Sequence, residues 1–417
     1  MLTELTIKNF KSIRDLTLKP GRVTVLIGEN GCGKSNILEA LAVAAAAAAN
    51  KLDHEFLASR GIRMTAPRFM RSAFAETTNE EPIHLGVQVD GETVGFDLVS
   101  EGEDGYVRLV GSTARPGLEL VPGKSGHLPE LVLRLPKGID RQAGVEQIAR
   151  QLLEALPQLQ ESPAQGQPKL SLNSFAEMLA SHLLERLFTV VDDHALADFL
   201  VYSPENTSLR SFELEGQILP LGIKGEGLFK LLKSLSADAA RMGELTENLR
   251  LIDWFDDFRV ASDLAPFERT LQIKDRYLGA SGGEALAYFD QRSANEGFLF
   301  LLFYFALFVS ENTPAFFAID NVDASLNPRL CTELMRRLSV LAAKHGKQVI
   351  VTTHNPAILD GLNLHDEDQR LYVVYRNSKG HTRARRVRPP KPLGGESPVK
   401  LSEAFLRGLL GGLPQNF

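Results

Sequence analysis

Short runs of apolar, often β-branched residues alternate along this chain with segments of helical spacing, and the strand-like runs crowd towards its two ends. Residues 5–10, 16–18 and 23–27 read as three strands separated by turns. Helix follows from Lys34 through the alanine run 44–49, since alanine is the best helix former and lets backbones approach closely. From about 83 to 110 strand alternation returns, broken by Asp90-Gly91 and by the Gly-rich stretch 101–105, which are hairpin signals and predict antiparallel pairing.

The middle differs. Residues 141–156, 175–187, 225–235 and 249–260 carry helical periodicity, and the polar segment 157–168, flanked by prolines, connects the first two. The last third returns to strand and helix. Residues 315–320 and 348–353 are apolar runs of the kind buried on both faces, with helix predicted between them at 328–345. A hairpin about Ser378-Lys-Gly380 joins 371–375 to 382–387, and a short helix covers 400–410. These elements predict an α/β fold with a mixed sheet, an antiparallel β subdomain and a mostly helical insertion. The expected boundaries are 1–124 and 263–417 for the two halves of one domain and 125–262 for the insertion.

One aromatic-rich run, 298–309, is apolar all round. It is shorter than the ~18–20 residues a bilayer span needs, so a buried core helix is expected and no membrane partner. The 417-residue chain has a formal net charge of −6, which argues against a surface dominated by phosphate-backbone binding. Two cysteines, Cys32 and Cys331, are too few for a disulfide framework or a zinc site. With an N-terminus that alternates like a strand, a reducing, cytoplasmic location is expected.

The most informative chemistry begins where the third strand ends. Val23-Thr-Val-Leu-Ile-Gly28-Glu-Asn30-Gly31-Cys32-Gly33-Lys34-Ser35-Asn36 is a phosphate-binding loop between a strand and a helix. Its glycines let backbone N–H groups curl round a polyphosphate, and the helix start adds partial positive charge. Lys34 can reach the β- and γ-phosphates, and the Ser35 hydroxyl can ligate Mg²⁺. Two later strand ends carry further candidates. Phe316-Phe-Ala-Ile-Asp320 ends in a carboxylate suited to Mg²⁺, and Val351-Thr-Thr-His354 ends in a histidine that can sense a γ-phosphate.

With Asn9-Phe-Lys-Ser12 ahead of the loop, Gly33-Lys-Ser-Asn36 within it, Ile319-Asp320, Leu326-Asn-Pro328 and Thr353-His354-Asn-Pro356, the chain resembles ABC-type ATPases of the SMC, RecF and OLD group. The resemblance covers roughly 1–110 and 265–365, not the helical middle. It implies a P-loop NTPase fold of ABC type, ATP and Mg²⁺ as cofactors, and a homodimer or higher homo-oligomer. In such dimers one subunit's phosphate loop and the other's signature segment pin each ATP. Ser281-Gly-Gly-Glu284 looks like a signature but stands 39 residues ahead of Asp320 (320 − 281). Ser293-Ala-Asn295-Glu-Gly297 stands 27 to 23 residues ahead and runs straight into the apolar helix. Ser293, Asn295 and Gly297 are therefore taken as the signature, and 281–284 as a hairpin turn.

One departure matters. The family usually places Glu after the strand-end Asp, whereas this chain has Asp320-Asn321-Val322-Asp323. Asn orients water but cannot accept its proton, so slow hydrolysis is expected, with Asn321, His354 and Asp323 as the catalytic candidates. The family's inter-lobe glutamine loop has no clear counterpart, and Gln88 sits in a strand pattern.

By resemblance, stand-alone proteins of this type regulate or scaffold a separately encoded effector, a nuclease or toxin, in bacterial anti-phage defence. Two alternatives stay open: a RecF-like DNA-repair ATPase clamping DNA, and a nucleotide-locked, non-hydrolysing scaffold. Nucleic acid as a direct partner rests on Arg383, Arg385, Arg386, Arg388 and Lys391, although a solvated edge strand is the simpler reading. Asp366-Glu-Asp368 reads as a solvated loop, and no fused nuclease is expected in the residues after His354.

Overall fold

The computed structural model describes residues 1–49, 51–52, 54–63, 69–74, 81–89, 91–98, 117–121, 130–134, 194–212, 221–260, 270–278, 287–389 and 399–413. Its centre is set by strands whose side chains are buried on both faces: β3 (Val23–Ile27), β12 (Phe316–Ile319) and β13 (Gln348–Thr353). Such continuous apolar runs pair in parallel, since only a sheet covered on both sides can use them. β3 lies between β13 and β14 (Gln369–Arg376), and β12 lies between β13 and the two-residue β8 (Val201–Tyr202), all in parallel. β15 (Thr382–Val387) closes one edge as an antiparallel hairpin with β14.

The period-two alternation of these strands sends side chains into two separate cores. Val23, Val25, Ile27, Phe317, Ile319, Val349 and Val351 point into one. There they meet helices α2 (Leu228–Leu235), α3 (Ala239–Leu249), α4 (Glu296–Val309) and α5 (Pro328–Lys344). Leu26, Phe316, Ala318 and Ile350 point into the other, against helix α1 (Lys34–Ala48). An antiparallel sheet of order β2-β1-β4-β5 flanks that side, with β1 Leu2–Phe10, β2 Ile13–Leu18, β4 Ile83–Val89 and β5 Glu92–Leu98. Every residue of α1 from Ala40 to Ala46 is buried, so the low-complexity run is a packed helix.

The apolar run 298–309 is the hub of the first core. Every residue of α4 from Gly297 to Val309 is buried. Phe303 meets Tyr202 edge-on at 5.8 Å, Phe308 meets Phe317 at 5.2 Å, and Phe298 lies 5.2 Å from Phe255. Among the described residues no helix is long and apolar enough to cross a membrane.

One expectation fails in the middle of the chain. The spacing of 249–260 predicts helix, but β9 (Phe255–Val260) is a strand, antiparallel to β10 (Leu271–Asp275), which also pairs with β11 (Tyr288–Asp290). The register shifts between Lys274 and Asp275, so β9 carries an extra residue there and Phe255 and Phe258 are buried three positions apart. That bulge gives a strand the spacing of a helix. The region 125–262 also holds strands: β7 (Glu130–Arg134) pairs with β6 (Gly117–Val121), and β8 belongs to the central sheet. The helices expected at 141–156 and 175–187, and the turn at 281–284, lie outside the described residues.

Because Phe303 is fully buried between the sheet and neighbouring aromatics, Phe303→Ala is expected to cost about 3–5 kcal/mol. Urea unfolding should show a lower midpoint at unchanged slope.

Candidate nucleotide site

The parallel strands deliver their carboxyl ends to one edge of the sheet, where crevices in open α/β folds lie. β3 runs into the loop Gly28–Gly33 there, and α1 starts at Lys34. Gly31 (φ 74°) and Gly33 (φ 106°) hold left-handed backbone that other residues adopt only under strain. A Cβ on Gly33 would stand 2.2 Å from Thr382 Oγ1, and one on Gly28 2.0 Å from the Val374 carbonyl oxygen. Two chain segments far away in sequence thus press the loop into shape.

Side chains from those segments pin it. Thr382 Oγ1 donates to the Cys32 carbonyl at 2.8 Å and lies 2.7 Å from Ser12 Oγ. Asn36 Nδ2 donates to the same Ser12 Oγ at 2.7 Å, and Arg376 Nε donates to the Gly31 carbonyl at 2.9 Å. Lys11, beside Ser12, pairs with the buried Glu39 of α1, to which Arg63 Nε also donates at 2.6 Å. The Asn9-Phe-Lys-Ser12 segment therefore braces the loop and its helix. Asn30 is exposed at the tip of the loop, and Cys32 is buried, its thiol pushed up by that burial.

The helix start is built for an anion. No side chain caps α1 and no acidic residue sits in its first turn, so its leading N–H groups face the loop mouth. Lys34 is buried, and Nζ donates to the Gly28 and Glu29 carbonyls at 2.9 and 3.0 Å. Burial lowers its pKa, against the opposing charges of Cys32, Asp320 and Asp323.

Asp320 leaves β12 beside this helix. Ser35 Oγ donates to Asp320 Oδ2 at 3.0 Å, and Thr352, one residue before the end of β13, donates to Asp320 Oδ1. A hydroxyl and a carboxylate this close supply the hard oxygen donors that suit Mg²⁺, which keeps several waters and needs few protein ligands. Among the described residues no cluster of three His, Cys, Asp or Glu competes for a metal. His354 follows β13, with Nδ1 3.4 Å from Lys34 Nζ. Burial first and the Lys34 charge second hold its pKa below the usual value, so the ring is neutral at pH 7. Asn321 is exposed, in left-handed backbone (φ 56°), with its N–H donating to Thr352 Oγ1 at 2.9 Å.

Ser293, Asn295 and Gly297 lie elsewhere. Asn295 caps α4, its Oδ1 accepting from the Gly297 N–H at 2.9 Å, and Ser293 Oγ donates to Asp290 Oδ1 at 3.1 Å. Ser293 and Asn295 are exposed. Glu296 accepts from Ser325 Oγ, which ties this segment to the turn after Asp320 and not to the phosphate loop of the same chain.

Sequence reading singled out neither Thr352 nor Thr382, and it gave no function to the segment 203–206. That segment leaves β8 at the same sheet edge, where Asp320 N–H donates to the Tyr202 carbonyl at 2.8 Å. Gln88 is on β4, in the flanking sheet. Three arginines of the basic tract make contacts within the chain: Arg383 Nη1 donates to the Asp15 carbonyl at 2.9 Å, Arg385 to the Leu410 carbonyl, and Arg386 pairs with Glu367 at 2.7 Å, while Arg388 is exposed and Lys391 lies outside the described residues.

A family model described as "AAA domain, putative AbiEii toxin, Type IV TA system" matches residues 23–360. No curated protein matches the chain. Among solved structures, an Smc head bound to the C-winged helix domain of ScpA is similar at 13% identity and a TM-score of 0.52, covering 93% of this chain and 98% of that one. An SMC head domain from Thermotoga maritima is 15% identical with a TM-score of 0.43, covering 93% and 99%. An Smc head with an extended coiled coil, bound to the C-terminal domain of ScpA derived from Pyrococcus furiosus, is 12% identical with a TM-score of 0.46, covering 93% and 96%. At these identities the first of the three shows a shared fold and nothing more.

The Lys34 charge is one cause of the lowered His354 pKa. An NMR titration should therefore place the His354 midpoint below the ordinary histidine value of about 6.5, and Lys34→Met should move it upward.

Proposed function

The chain belongs to this AAA-domain family, and on that premise we propose that it is an ATPase that closes head to head with a second copy around two ATP and thereby controls a separate effector. The observation that carries the reading is a division of parts. Lys34, Ser35, Asp320 and His354 converge at one sheet edge, while exposed Ser293 and Asn295 begin a helix that bonds none of them. Exposed Ser293 and Asn295 side chains that can donate hydrogen bonds, beside a small residue at Gly297, suit the γ-phosphate of an ATP held by another copy.

In this reading the amides of Gly28 to Gly33 and Asn36 line the polyphosphate, Asn30 and Cys32 shape the loop, and Lys34 neutralises the β- and γ-phosphates. Ser35 and Asp320 hold Mg²⁺, which would draw charge from the γ-phosphate. The neutral His354 ring accepts or donates one hydrogen bond at that phosphate, and the Asn321 carboxamide orients water. That the effector is a nuclease or toxin in bacterial anti-phage defence rests on the resemblance described above; the family description itself names a putative toxin of a toxin–antitoxin system. A nucleotide-locked scaffold is the second reading, favoured by Asn321 standing where an acid would accept a proton. Clamping of DNA by the basic tract has little support, because Arg383, Arg385 and Arg386 are spent on contacts within the chain.

Sedimentation velocity tests the dimer. Mg–ATP is expected to convert wild type from monomer to dimer, while Lys34→Ala and Ser293→Arg stay monomeric. Ser293 is exposed, so the arginine leaves the fold intact and blocks only the face. Association that ignores nucleotide, or a Ser293→Arg protein that dimerises like wild type, overturns the reading.

A further inference from the structure

The turn after Asp320 is held by Thr352 from two sides. Asn321 N–H donates to Thr352 Oγ1 at 2.9 Å, and Val322 N–H donates to the Thr352 carbonyl at 3.0 Å. With Asn321 in left-handed backbone and Ala324 N–H closing on the Asn321 carbonyl at 3.0 Å, the chain doubles back and Val322 is buried. Asp323 follows Val322 in this turn, directly after the two residues bonded to Thr352.

Its surroundings are unusual. Asp323 Oδ1 is buried and has no hydrogen-bond partner among the described residues. Its charge acts on Lys34, His354, Tyr304 and Cys331. Tyr304 Oη is also buried and unpartnered, and the Cys331 thiol is pushed up to about 12, chiefly by burial and then by Asp323. An unsatisfied buried acceptor costs about 1–3 kcal/mol, more when charged. Such a group is kept in a native fold where it has work to do. Asn321 has no proton-accepting group, whereas a carboxylate has two.

We propose that Asp323, and not the residue directly after Asp320, is the catalytic base that accepts the proton of the water attacking the γ-phosphate. This rests on the ATPase reading above. The water oxygen bonds to the γ-phosphorus as the bond to the β,γ-bridging oxygen breaks, and the electron pair leaves with ADP. One water proton passes to the Asp323 carboxylate and then to solvent or the released phosphate, restoring the carboxylate. Asn321, exposed at the start of the same turn, orients the water through its carboxamide.

Steady-state phosphate release and binding of a fluorescent ATP analogue, measured on the same full-length proteins, test this. Asp323→Asn is expected to lower kcat by about 10²–10⁴, the range for loss of a positioned base, with analogue binding and melting temperature kept. Asn321→Ala should cost less than about tenfold, and the double variant Asn321→Glu/Asp323→Asn, which moves the base next to Asp320, should return to within about tenfold of wild type. The proposal is overturned if Asn321→Ala loses as much as Asp323→Asn, if Asp323→Asn keeps its turnover, or if it loses analogue binding, which marks a structural role. It also falls if wild type binds the analogue without turnover, a result that leaves nucleotide binding intact. A wild type that binds no analogue overturns the ATPase reading itself and this proposal with it.

Discussion

Parallel pairing of β3 with β13, and of β13 with β12, is the constraint on which the rest of this molecule depends. Each strand is buried on both faces, so the three can exist only with a helical layer on each side. Because they run the same way, the residues that follow Ile27, Ile319 and Thr353 all emerge at one edge. Reversing any one of them would send the phosphate loop, the carboxylate or the histidine to the far side of the sheet. The site is thus a consequence of how apolar strands must pack, and its polar residues are those that fall just past the ends of the apolar runs.

What the strands bring together, the loop's neighbours hold still. Ser12 and Thr382 meet at 2.7 Å across nearly the whole length of the chain, and both bear on the loop through Asn36 and the Cys32 carbonyl. Fixing the loop in advance spares an anion much of the ordering cost of binding. The electrostatics follow the same economy. Buried Lys34 supplies one cation, Asp320 and Asp323 oppose it, and the depressed pKa of His354 keeps a second cation away from the ammonium 3.4 Å distant. A neutral ring there can serve as acceptor to Lys34, which a protonated one could not.

Features with a local signature were legible in the sequence. The glycines and Lys34-Ser35 stand in one unbroken run between strand and helix, Asp320 and His354 each end an apolar run, and the all-apolar α4 could only be core. Features set by distant contacts were not. Thr352 and Thr382 are ordinary strand residues until the fold places one against Asp320 and the other against Cys32. β8 is two residues long, too short for any period, yet it extends the central sheet beyond β12. At β9 the bulge opposite Asp275 spaces Phe255 and Phe258 like a helix, and hydrophobic pattern alone cannot separate the two.

The segment from Asp320 to Asn327 ties the two halves of the chemistry into one mechanical piece. One end is bonded to Ser35 and Thr352; the other holds Glu296 through Ser325, and Asn327 caps α5 with its Oδ1 accepting from the Leu330 N–H at 3.0 Å. A Cβ on Gly297 would stand 3.1 Å from the Ser325 carbonyl oxygen, so the start of α4 is packed directly on this segment. Asn321 (φ 56°) and Ser325 (φ 60°) both hold left-handed backbone, at a cost of order 1–2 kcal/mol each. A piece this short, strained at two points and bonded at both ends, has little slack to absorb a displacement locally. The start of α4, where Ser293 and Asn295 are exposed, and the turn that carries Asn321 and Asp323 are therefore parts of one packed unit, joined through Ser325.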